Sequence, residues 1–363
     1  MAVTEQGLLA ALTSVQDPHT GQDFVSTRAL RNVQIHGGDV AFDVELGYPA
    51  KSLLPELRRS LVAAAKGVAG VENVSVNITT KVVAHAVQRG VQLLAQVKNI
   101  IAVASGKGGV GKSTTAANLA LALAAEGASV GVLDADIYGP SQPMMMGINR
   151  RPESDDGKTM EPLENYGVQV MSIGFLVDQD EAMIWRGPMA TQALEQLLRQ
   201  TNWKDLDYLI IDMPPGTGDI QLTLSQRVPM TGAVIVTTPQ DIALLDAKKG
   251  IKMFEKVGVP ILGIVENMAV HVCSNCGQVE HIFGADGGKK MAADYGMDYL
   301  GALPLDMSIR LQADSGRPTV VADPDGDVAQ IYKKVARDVA VKIAQQAKDF
   351  SSKFPTIAVS KNT

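Results

Sequence analysis

A phosphate-binding loop is the clearest chemical feature of the sequence. The pattern G-x-x-x-x-G-K followed by Ser or Thr is met by eight consecutive residues: Gly106, Lys107, Gly108, Gly109, Val110, Gly111, Lys112 and Ser113. The loop follows an apolar run typical of a buried strand and precedes a helical pattern, which is the context that this motif requires. Its glycines allow backbone N–H groups to surround phosphate oxygens, and the helix N-terminus adds partial positive charge. We expect Lys112 to contact the β- and γ-phosphates of a nucleotide, Ser113 to bind Mg²⁺, and Thr114 to lie beside them.

Three carboxylates are placed to complete that site. Asp134 and Asp136 stand two residues apart where the second strand of the alternating region ends, so both side chains point the same way. Asp212 ends another apolar strand, at the position that supports Mg²⁺ in P-loop proteins. One of the paired carboxylates would hold Mg²⁺ through water while the other orients the attacking water; in the alternative interpretation they cap a loop. The segment 214–219 contains two prolines and two glycines, and we expect it to sense the γ-phosphate as switch loops do.

Cys273 and Cys276, spaced C-x-x-C, are the two cysteines of the chain. They lie in a polar loop between a strand and a helix, whereas a thioredoxin-like pair would open a helix near the first strand. Together with His281 and His271 they would make a four-ligand zinc site. Two chains that each supply two thiolates would instead provide the four ligands of a [4Fe–4S] cluster, and that ligand count requires a homodimer. A pair of buried structural thiols is the remaining alternative.

The elements that position these residues divide the chain in two. Residues 98–349 alternate apolar strands with helices, which predicts a P-loop NTPase domain with a doubly wound, mostly parallel α/β sheet. Residues 1–80 read α-β-β-α-β, with Gly37-Gly38 as a hairpin turn, and predict a small α+β domain. We interpret residues 81–97 as a linker whose apolar spacing suits a connecting helix, and residues 350–363 as a frayed tail.

The predicted boundaries in the larger part follow from where the apolar patterns start and stop. The predicted strands are 99–104, 129–134, 168–173, 208–212, 233–237, 261–266 and 299–302. The predicted helices are 113–126, 189–200, 220–227, 242–256, 288–295 and 328–347.

Composition narrows the class of protein. Hydrophobic residues make up 46% and charged residues 20% of the chain, which is typical of a globular protein with a substantial core. The net charge of −6, without a block of Lys or Arg, argues against nucleic acid or a membrane surface as partner. The sequence shows neither a signal peptide nor an apolar run of the ~20 residues that a membrane span needs. We therefore expect a cytoplasmic protein.

Five motifs together resemble the Mrp/ApbC family of P-loop ATPases: the loop 106–113, the run 133–141, Trp185-Arg186-Gly187-Pro188, the run 213–219 and Cys273-x-x-Cys276. The loop is similar to the deviant Walker A motif of the MinD/ParA/nitrogenase-iron-protein class. The resemblance implies that Lys107 crosses a dimer interface to the partner's nucleotide. It also implies that Asp134 is the carboxylate on the Mg²⁺ side of the site and that Asp136 is the one that activates water. Asn267, which follows a later strand, would contact the adenine edge; the alternative is a turn-forming asparagine.

The resemblance implies an ATP-binding and slowly hydrolysing homodimer that assembles a [4Fe–4S] cluster between its subunits. Its partners would be cluster scaffold proteins and the apo-proteins that receive the cluster. The first 80 residues resemble a domain that also occurs in iron–sulfur assembly proteins and often carries a cysteine after its second strand. The segment 48–52 has no cysteine here, so we expect this domain to dock a partner.

Three other classes share parts of this pattern. A MinD- or ParA-like positioning switch would need a basic amphipathic helix or a DNA-binding stripe, and the mixed charges of residues 333–353 argue weakly against both. A reductase like the nitrogenase iron protein would keep its cluster bound. A zinc-stabilised P-loop ATPase would use the cysteines without transferring a cluster.

Overall fold

Two β-sheets and one short hairpin organise the chain in this computed structural model, which describes residues 3–88, 90–177 and 187–347. The strands are β1 Leu30–His36, β2 Asp39–Leu46, β3 Asn73–Thr80, β4 Val97–Ala104, β5 Val130–Asp134, β6 Leu163–Asn165, β7 Val168–Ser172, β8 Leu206–Asp212, β9 Gly232–Thr237, β10 Ile261–Glu266, β11 His271–Val272, β12 Val279–Glu280 and β13 Tyr299–Ala302. The helices are α1 Glu5–Leu12, α2 Leu54–Lys66, α3 Lys112–Ala125, α4 Gln142–Met145, α5 Gly187–Gln200, α6 Asp219–Arg227, α7 Asp241–Val257, α8 Gly287–Asp294, α9 Met307–Asp314, α10 Thr319–Ala322 and α11 Asp327–Ala344.

The small sheet has the order β1-β2-β3, and the predicted sequence of elements, α-β-β-α-β, is confirmed. β1 and β2 pair antiparallel around the predicted Gly37-Gly38 turn, and β3 pairs parallel with β2. Alternate residues of β2 point into the core, where Phe42 and Val44 are buried together with Leu61 of α2. The period-two burial of this strand is what a sheet covered on one face requires.

The large sheet has the order β13-β10-β9-β4-β8-β5-β7-β6. Every adjacent pair is parallel except β6 and β7 at the edge. β5, β7 and β9 are buried along their whole length, as strands covered by helices on both faces must be. The predicted doubly wound, mostly parallel α/β sheet is confirmed. Because the strands are parallel, the loops after their carboxyl ends meet at one edge of the sheet.

All seven predicted strands and all six predicted helices of this part are present, with ends that differ by a few residues. The shorter elements β6, β11, β12, α4, α9 and α10 are not among the predicted ones. These elements span two to eight residues, so they are too short for a periodic pattern to emerge. The motif residues Trp185 and Arg186 and the tail 350–363 lie outside the described residues.

The connecting helix suggested for residues 81–97 is wrong. Within this segment, residues 81–88 and 90–96 are not helical, and β4 begins at Val97. Gln88 Nε2 donates to the carbonyl oxygens of Ser225 and Val228 at 2.9 and 2.8 Å, and Asn99 Nδ2 donates to the carbonyl of Val83 at 3.0 Å. These long-range contacts, which the local pattern did not reveal, tie Gln88 to the end of α6 and Val83 to β4.

A buried polar cluster joins the small sheet to the large one. Glu126, which follows α3, accepts hydrogen bonds from the Ser52 backbone N–H at 2.9 Å and the Ser52 hydroxyl at 2.7 Å. Arg337 of α11 pairs with the same carboxylate at 2.6 Å and also donates to His19 Nε2 at 3.1 Å. The helix that begins at the phosphate-binding loop therefore ends against the N-terminal part of the chain.

Among the described residues, no helix has both the length and the apolar character needed to cross a membrane.

Candidate functional site

The phosphate-binding loop connects β4 to α3 and is shaped by its glycines. Gly111 precedes the first helical residue with φ of 80°, and Gly109 has φ of 76°, a left-handed conformation that glycine adopts without strain. At Gly106 an added Cβ would overlap the backbone of Asp246 in α7, so the loop packs there without room for a side chain. The N-terminus of α3 is thereby directed at the loop, as phosphate binding requires.

Lys112 lies inside the site rather than in solvent. Its side chain is only 6% exposed, and its ammonium forms an ion pair with Asp212 and a 3.0 Å hydrogen bond with the Ser113 hydroxyl. The structure thus brings Lys112 and Ser113 of the phosphate-binding loop together with Asp212 at the end of β8. To contact phosphates, the Lys112 ammonium would have to exchange the Asp212 carboxylate for phosphate oxygens.

Two carboxylates face each other across neighbouring strands. Asp134 of β5 and Asp212 of β8 are partners in the sheet register, and both are fully buried. Burial, and then the negative charge of Asp212, raises the pKa of Asp134 to about 7. Burial likewise raises the pKa of Asp136, which lies two residues further along. Two buried carboxylates beside a single lysine form an acidic set that suits a small divalent cation with oxygen ligands, so Mg²⁺ fits these residues.

Gln142, which the sequence analysis did not single out, contacts the same set. It is the first residue of α4 and is fully buried. Its side-chain nitrogen donates to the Ser113 carbonyl at 3.0 Å and to Asp212 at 2.9 Å, and its backbone N–H donates to Asp134 at 3.0 Å. It lies one residue beyond the recognised run 133–141, and no motif indicated a role for it.

The predicted switch loop is tied to both neighbouring elements. The Gly216 N–H donates to the carbonyl of Ser105, at the start of the phosphate-binding loop, at 3.1 Å. Gln221 of α6 is buried, and its side-chain nitrogen donates to the Pro214 carbonyl at 3.2 Å and also to the Pro215 carbonyl. The loop therefore lies directly against the phosphate-binding loop, where a γ-phosphate sensor has to be. Gln221 is a second residue that the sequence analysis missed.

Asn267 follows β10 and is hydrogen-bonded to the phosphate-binding loop. Its side-chain nitrogen donates to the Val110 carbonyl at 2.8 Å, and its side-chain oxygen accepts from the Met268 N–H at 2.9 Å. The side chain is buried, and its nitrogen leaves no space for a Cβ at Gly111. In this conformation both ends of the Asn267 amide bind backbone. The predicted contact with an adenine edge stays a prediction.

Lys107 is half-buried in the first part of the loop, where its carbonyl accepts from the Ser105 hydroxyl at 2.9 Å. Its ammonium has no ion pair with any carboxylate of the described residues. Its predicted contact with the nucleotide of a partner subunit stays a prediction.

The two cysteines lie at the tip of a small antiparallel hairpin formed by β11 and β12. The Cys273 N–H donates to the Gln278 carbonyl at 2.9 Å, and Gly277, with φ of 73°, closes the turn. Cys276 is exposed and Cys273 half-exposed, so the interpretation as buried structural thiols is wrong. Hydrogen bonds from the backbone N–H groups of Cys276 and Asn275 lower the pKa of the Cys273 thiol, which favours the thiolate that binds metals.

The histidines near this hairpin do not complete a ligand set. His271 Nδ1 lies 3.0 Å from the Leu305 carbonyl, and His281 Nδ1 lies 3.0 Å from the Ala269 carbonyl. In the described part of the chain, no three His, Cys, Asp or Glu side chains are grouped closely enough to hold a metal ion. One copy of the hairpin thus supplies two ligands, half of what a tetrahedral or cluster site requires.

Comparison with known proteins decides between the families that share this loop. Residues 96–340 match the model of a family described as the NUBPL iron-transfer P-loop NTPase, and residues 5–78 match that of an iron–sulfur cluster assembly protein. The chain belongs to the NUBPL iron-transfer P-loop NTPase family. The predicted place among MinD/ParA-like cluster carriers is thereby confirmed.

Relatives of this P-loop NTPase match most of its length. The iron–sulfur cluster carrier protein of Escherichia coli (strain K12) is 50% identical over 336 residues, which cover 92% of this chain and 91% of that protein. The iron–sulfur cluster transfer protein NUBPL of Mus musculus is 55% identical over 249 residues, or 68% of this chain and 78% of that protein.

Two solved structures share the fold of this P-loop NTPase. A nucleotide-binding protein from Archaeoglobus fulgidus in complex with ADP is 38% identical with a TM-score of 0.56, covering 64% of this chain and 90% of that one. The cell division ATPase MinD of Pyrococcus furiosus is 22% identical with a TM-score of 0.51, covering 66% of this chain and 98% of that one.

Several exposed apolar side chains of this P-loop NTPase lie in segments that leave the carboxyl ends of its strands. They occur in the segments that follow four different parallel strands, β5, β9, β10 and β13: Tyr138, Met144, Ile242, Leu245, Val272, Val279, Ile282, Met307 and Leu311. The phosphate-binding loop and the cysteine hairpin open onto this same edge. Large apolar side chains left in solvent favour a protein–protein contact on this side of the sheet.

Proposed function

We propose that this chain is an ATP-binding and ATP-hydrolysing iron–sulfur cluster carrier. It assembles a [4Fe–4S] cluster between two copies of the chain and transfers it to apo-proteins. Its partners are cluster scaffold proteins and the receiving apo-proteins, and neither nucleic acid nor a membrane is required. A cytoplasmic location follows from the same proposal.

The observation that carries the proposal is the incomplete ligand set at the hairpin. Cys273 and Cys276 are accessible, and the lowered pKa of the Cys273 thiol favours its thiolate form. The described residues offer no third ligand beside them. A second copy of the hairpin would supply the missing pair of thiolates. A cluster held at an exposed interface between two chains can leave when the interface opens, which suits transfer of the cluster better than its storage.

The apolar edge of the sheet supports the homodimer. Its side chains follow strand ends at the same edge as the phosphate-binding loop and the hairpin, so their burial in a symmetric contact would bring the two hairpins and the two nucleotides to one interface. Lys107, near the first glycine of the loop, would then reach the partner's nucleotide.

The nucleotide chemistry assigns roles to the residues of the loop. Gly106–Thr114 bind the phosphates, and Lys112 moves from Asp212 to the β- and γ-phosphates. Ser113, Asp134 and Asp212 would hold Mg²⁺, which would neutralise charge on the phosphate oxygens. Asp136 orients a water molecule whose oxygen attacks the γ-phosphorus while the bond to the bridging oxygen breaks and ADP leaves. The proton of that water passes to Asp136, whose raised pKa suits a proton acceptor.

A short segment of chain connects the two sites. Asn267 contacts the phosphate-binding loop at Val110, and Cys273 follows it by six residues. Between them, the Val270 carbonyl accepts from the Leu305 N–H at 2.8 Å, which anchors the segment to the chain after β13. A movement of the loop on nucleotide binding would be passed through Asn267 to the hairpin.

Metal analysis after anaerobic reconstitution tests the proposal. The wild-type protein should hold about four iron and four sulfide per dimer. Ser274→Ala, a change in the same turn that removes no thiol, should match it. Cys276→Ala should lose nearly all iron and sulfide. A full iron–sulfur chromophore in Cys276→Ala, or zinc in place of iron in the wild type, would contradict the proposal; the latter would favour a zinc-stabilised ATPase.

A further inference from the structure

Gln142 contacts three of the residues expected around Mg²⁺. Its side-chain nitrogen donates both hydrogens, to the Ser113 carbonyl at 3.0 Å and to Asp212 Oδ2 at 2.9 Å. Its backbone N–H donates to Asp134 Oδ2 at 3.0 Å. One fully buried residue therefore connects the phosphate-binding loop to the ends of β5 and β8.

The orientation of this amide is fixed by its partners. A carbonyl and a carboxylate only accept hydrogen bonds, so the NH₂ group has to face both of them. The amide oxygen is then directed elsewhere. It is buried and has no hydrogen-bond partner within the described part of the chain. An unpaired buried acceptor is destabilising, and a donor arriving with a ligand would satisfy it. Water bound to Mg²⁺ is such a donor.

The contact with Asp212 matters most when nucleotide binds. Lys112 is the cation beside Asp212 in this structure. When phosphates draw the Lys112 ammonium away, Asp212 stays buried with a negative charge, and a buried carboxylate without donors is strongly disfavoured. The Gln142 amide also donates to Asp212, and this hydrogen bond does not involve Lys112.

We propose that Gln142 is a positioning residue for Mg²⁺. It holds Asp212 and Asp134 in place while Lys112 changes partners, and its unpaired amide oxygen is left to accept from a donor that arrives with the ligand. This inference rests on the nucleotide site of the proposed function and adds to it a residue outside the recognised motifs.

The test separates Mg²⁺ dependence from nucleotide binding. Binding of a fluorescent, non-hydrolysable ATP analogue is measured in EDTA and then in rising Mg²⁺. Gln142→Leu should raise the Mg²⁺ concentration at half-saturation by about tenfold, because it removes a buried hydrogen bond to the Asp212 carboxylate. Binding in EDTA should change by less than about twofold, since Lys112 and the loop N–H groups remain.

Gln169→Leu is the matched control. Gln169 is a buried glutamine of β7 whose side chain exchanges two 3.0 Å hydrogen bonds with the Lys204 backbone. It lies opposite Gly131, towards the other end of β5 from Asp134. This variant should be destabilised towards heat yet keep the wild-type Mg²⁺ response.

Two results would overturn the inference. One is a Gln142→Leu protein with the Mg²⁺ response of Gln169→Leu; the other is a Gln142→Leu protein that loses binding equally with and without Mg²⁺. If Gln142→Leu does not fold, Gln142→Met, which is unbranched and of similar length, carries the same expectations. A wild-type protein without any Mg²⁺-dependent nucleotide binding would overturn the proposed nucleotide site itself, an outcome that the variants do not produce.

Discussion

The nucleotide site and the cysteine hairpin lie at the same edge of one sheet but are built in opposite ways. At the nucleotide site, Lys112, Asp134 and Asp212 are buried, and each is hydrogen-bonded to another part of the site. At the hairpin, two short strands carry Cys273 and Cys276 into solvent. A site whose charges are satisfied within one chain can form before its ligand arrives. A site with half its ligands exists only when something else completes it.

This difference predicts that damage to one site will leave the other largely intact, with coupling confined to the segment between them.

The largest effect is expected from removal of both thiols. The double variant Cys273→Ala, Cys276→Ala should hold no cluster after reconstitution, because the described residues near the hairpin supply no other metal ligand. Its nucleotide affinity should stay within about twofold of wild type, since none of the hydrogen bonds described above for the nucleotide site involves the hairpin. Iron analysis and titration with a fluorescent nucleotide measure the two outcomes. Loss of nucleotide binding in this variant would show that the sites are not separable.

Lys112→Ala should impair the nucleotide site and leave the cluster site intact. It removes the phosphate-binding cation and leaves Asp212 buried without its counter-charge, so ATP turnover should fall by about 100-fold or more. The iron content after reconstitution without nucleotide should be unchanged. Lys98→Ala is the control, because Lys98 also pairs with an aspartate, Asp207 at 2.8 Å, but lies at the start of β4. Turnover that survives Lys112→Ala would exclude the phosphate-binding loop as the hydrolytic site.

Acid should weaken Mg²⁺-dependent nucleotide binding. The pKa of Asp134 is raised to about 7 by burial and the nearby Asp212, and the carboxyl group must lose its proton to hold Mg²⁺. Below pH 7 it is mostly protonated, so the apparent Mg²⁺ affinity should fall by about tenfold between pH 8 and pH 6. The Asp134→Asn variant should bind Mg²⁺ weakly at both pH values and show no such slope. An equally steep slope in that variant would assign the titration to another group.

The smallest effect is expected at the segment that connects the sites. Asn267→Ala removes the 2.8 Å hydrogen bond to the phosphate-binding loop, which is worth about 1 kcal/mol. Nucleotide affinity should drop by about fivefold, and addition of ATP should no longer change the rate at which iron is released to a chelator. Asn165→Ala is a matched control, since that side chain donates to the Met146 carbonyl at 2.7 Å away from this segment. An ATP effect on iron release that persists in Asn267→Ala would place the coupling elsewhere.

The sequence could predict those features that depend on local patterns, and it could not predict those that depend on tertiary contacts. Glycine spacing around Lys112, and the strand-ending positions of Asp134 and Asp212, are local patterns, and the parallel sheet brings them together. The contacts of Gln142 and Asn267 are not local: each joins segments far apart in sequence, and neither residue type is diagnostic of such a role. The tertiary contacts of Gln88 likewise override the helical spacing of residues 81–97. The sequence did not determine whether the cysteines are buried or exposed; in the structure they lie at the tip of the hairpin, where Cys276 is exposed and Cys273 half-exposed.

The most direct measurement of the central claim, that each chain supplies half of the cluster site, uses mixed dimers. Wild-type chains and chains carrying Cys273→Ala and Cys276→Ala are mixed in equal amounts, allowed to exchange and reconstituted with iron and sulfide. If a cluster needs four thiolates from two chains, only wild-type pairs hold it, and cluster content should fall to about a quarter of that of wild type alone. A content of about a half would show that each chain binds its cluster alone, and would contradict the account.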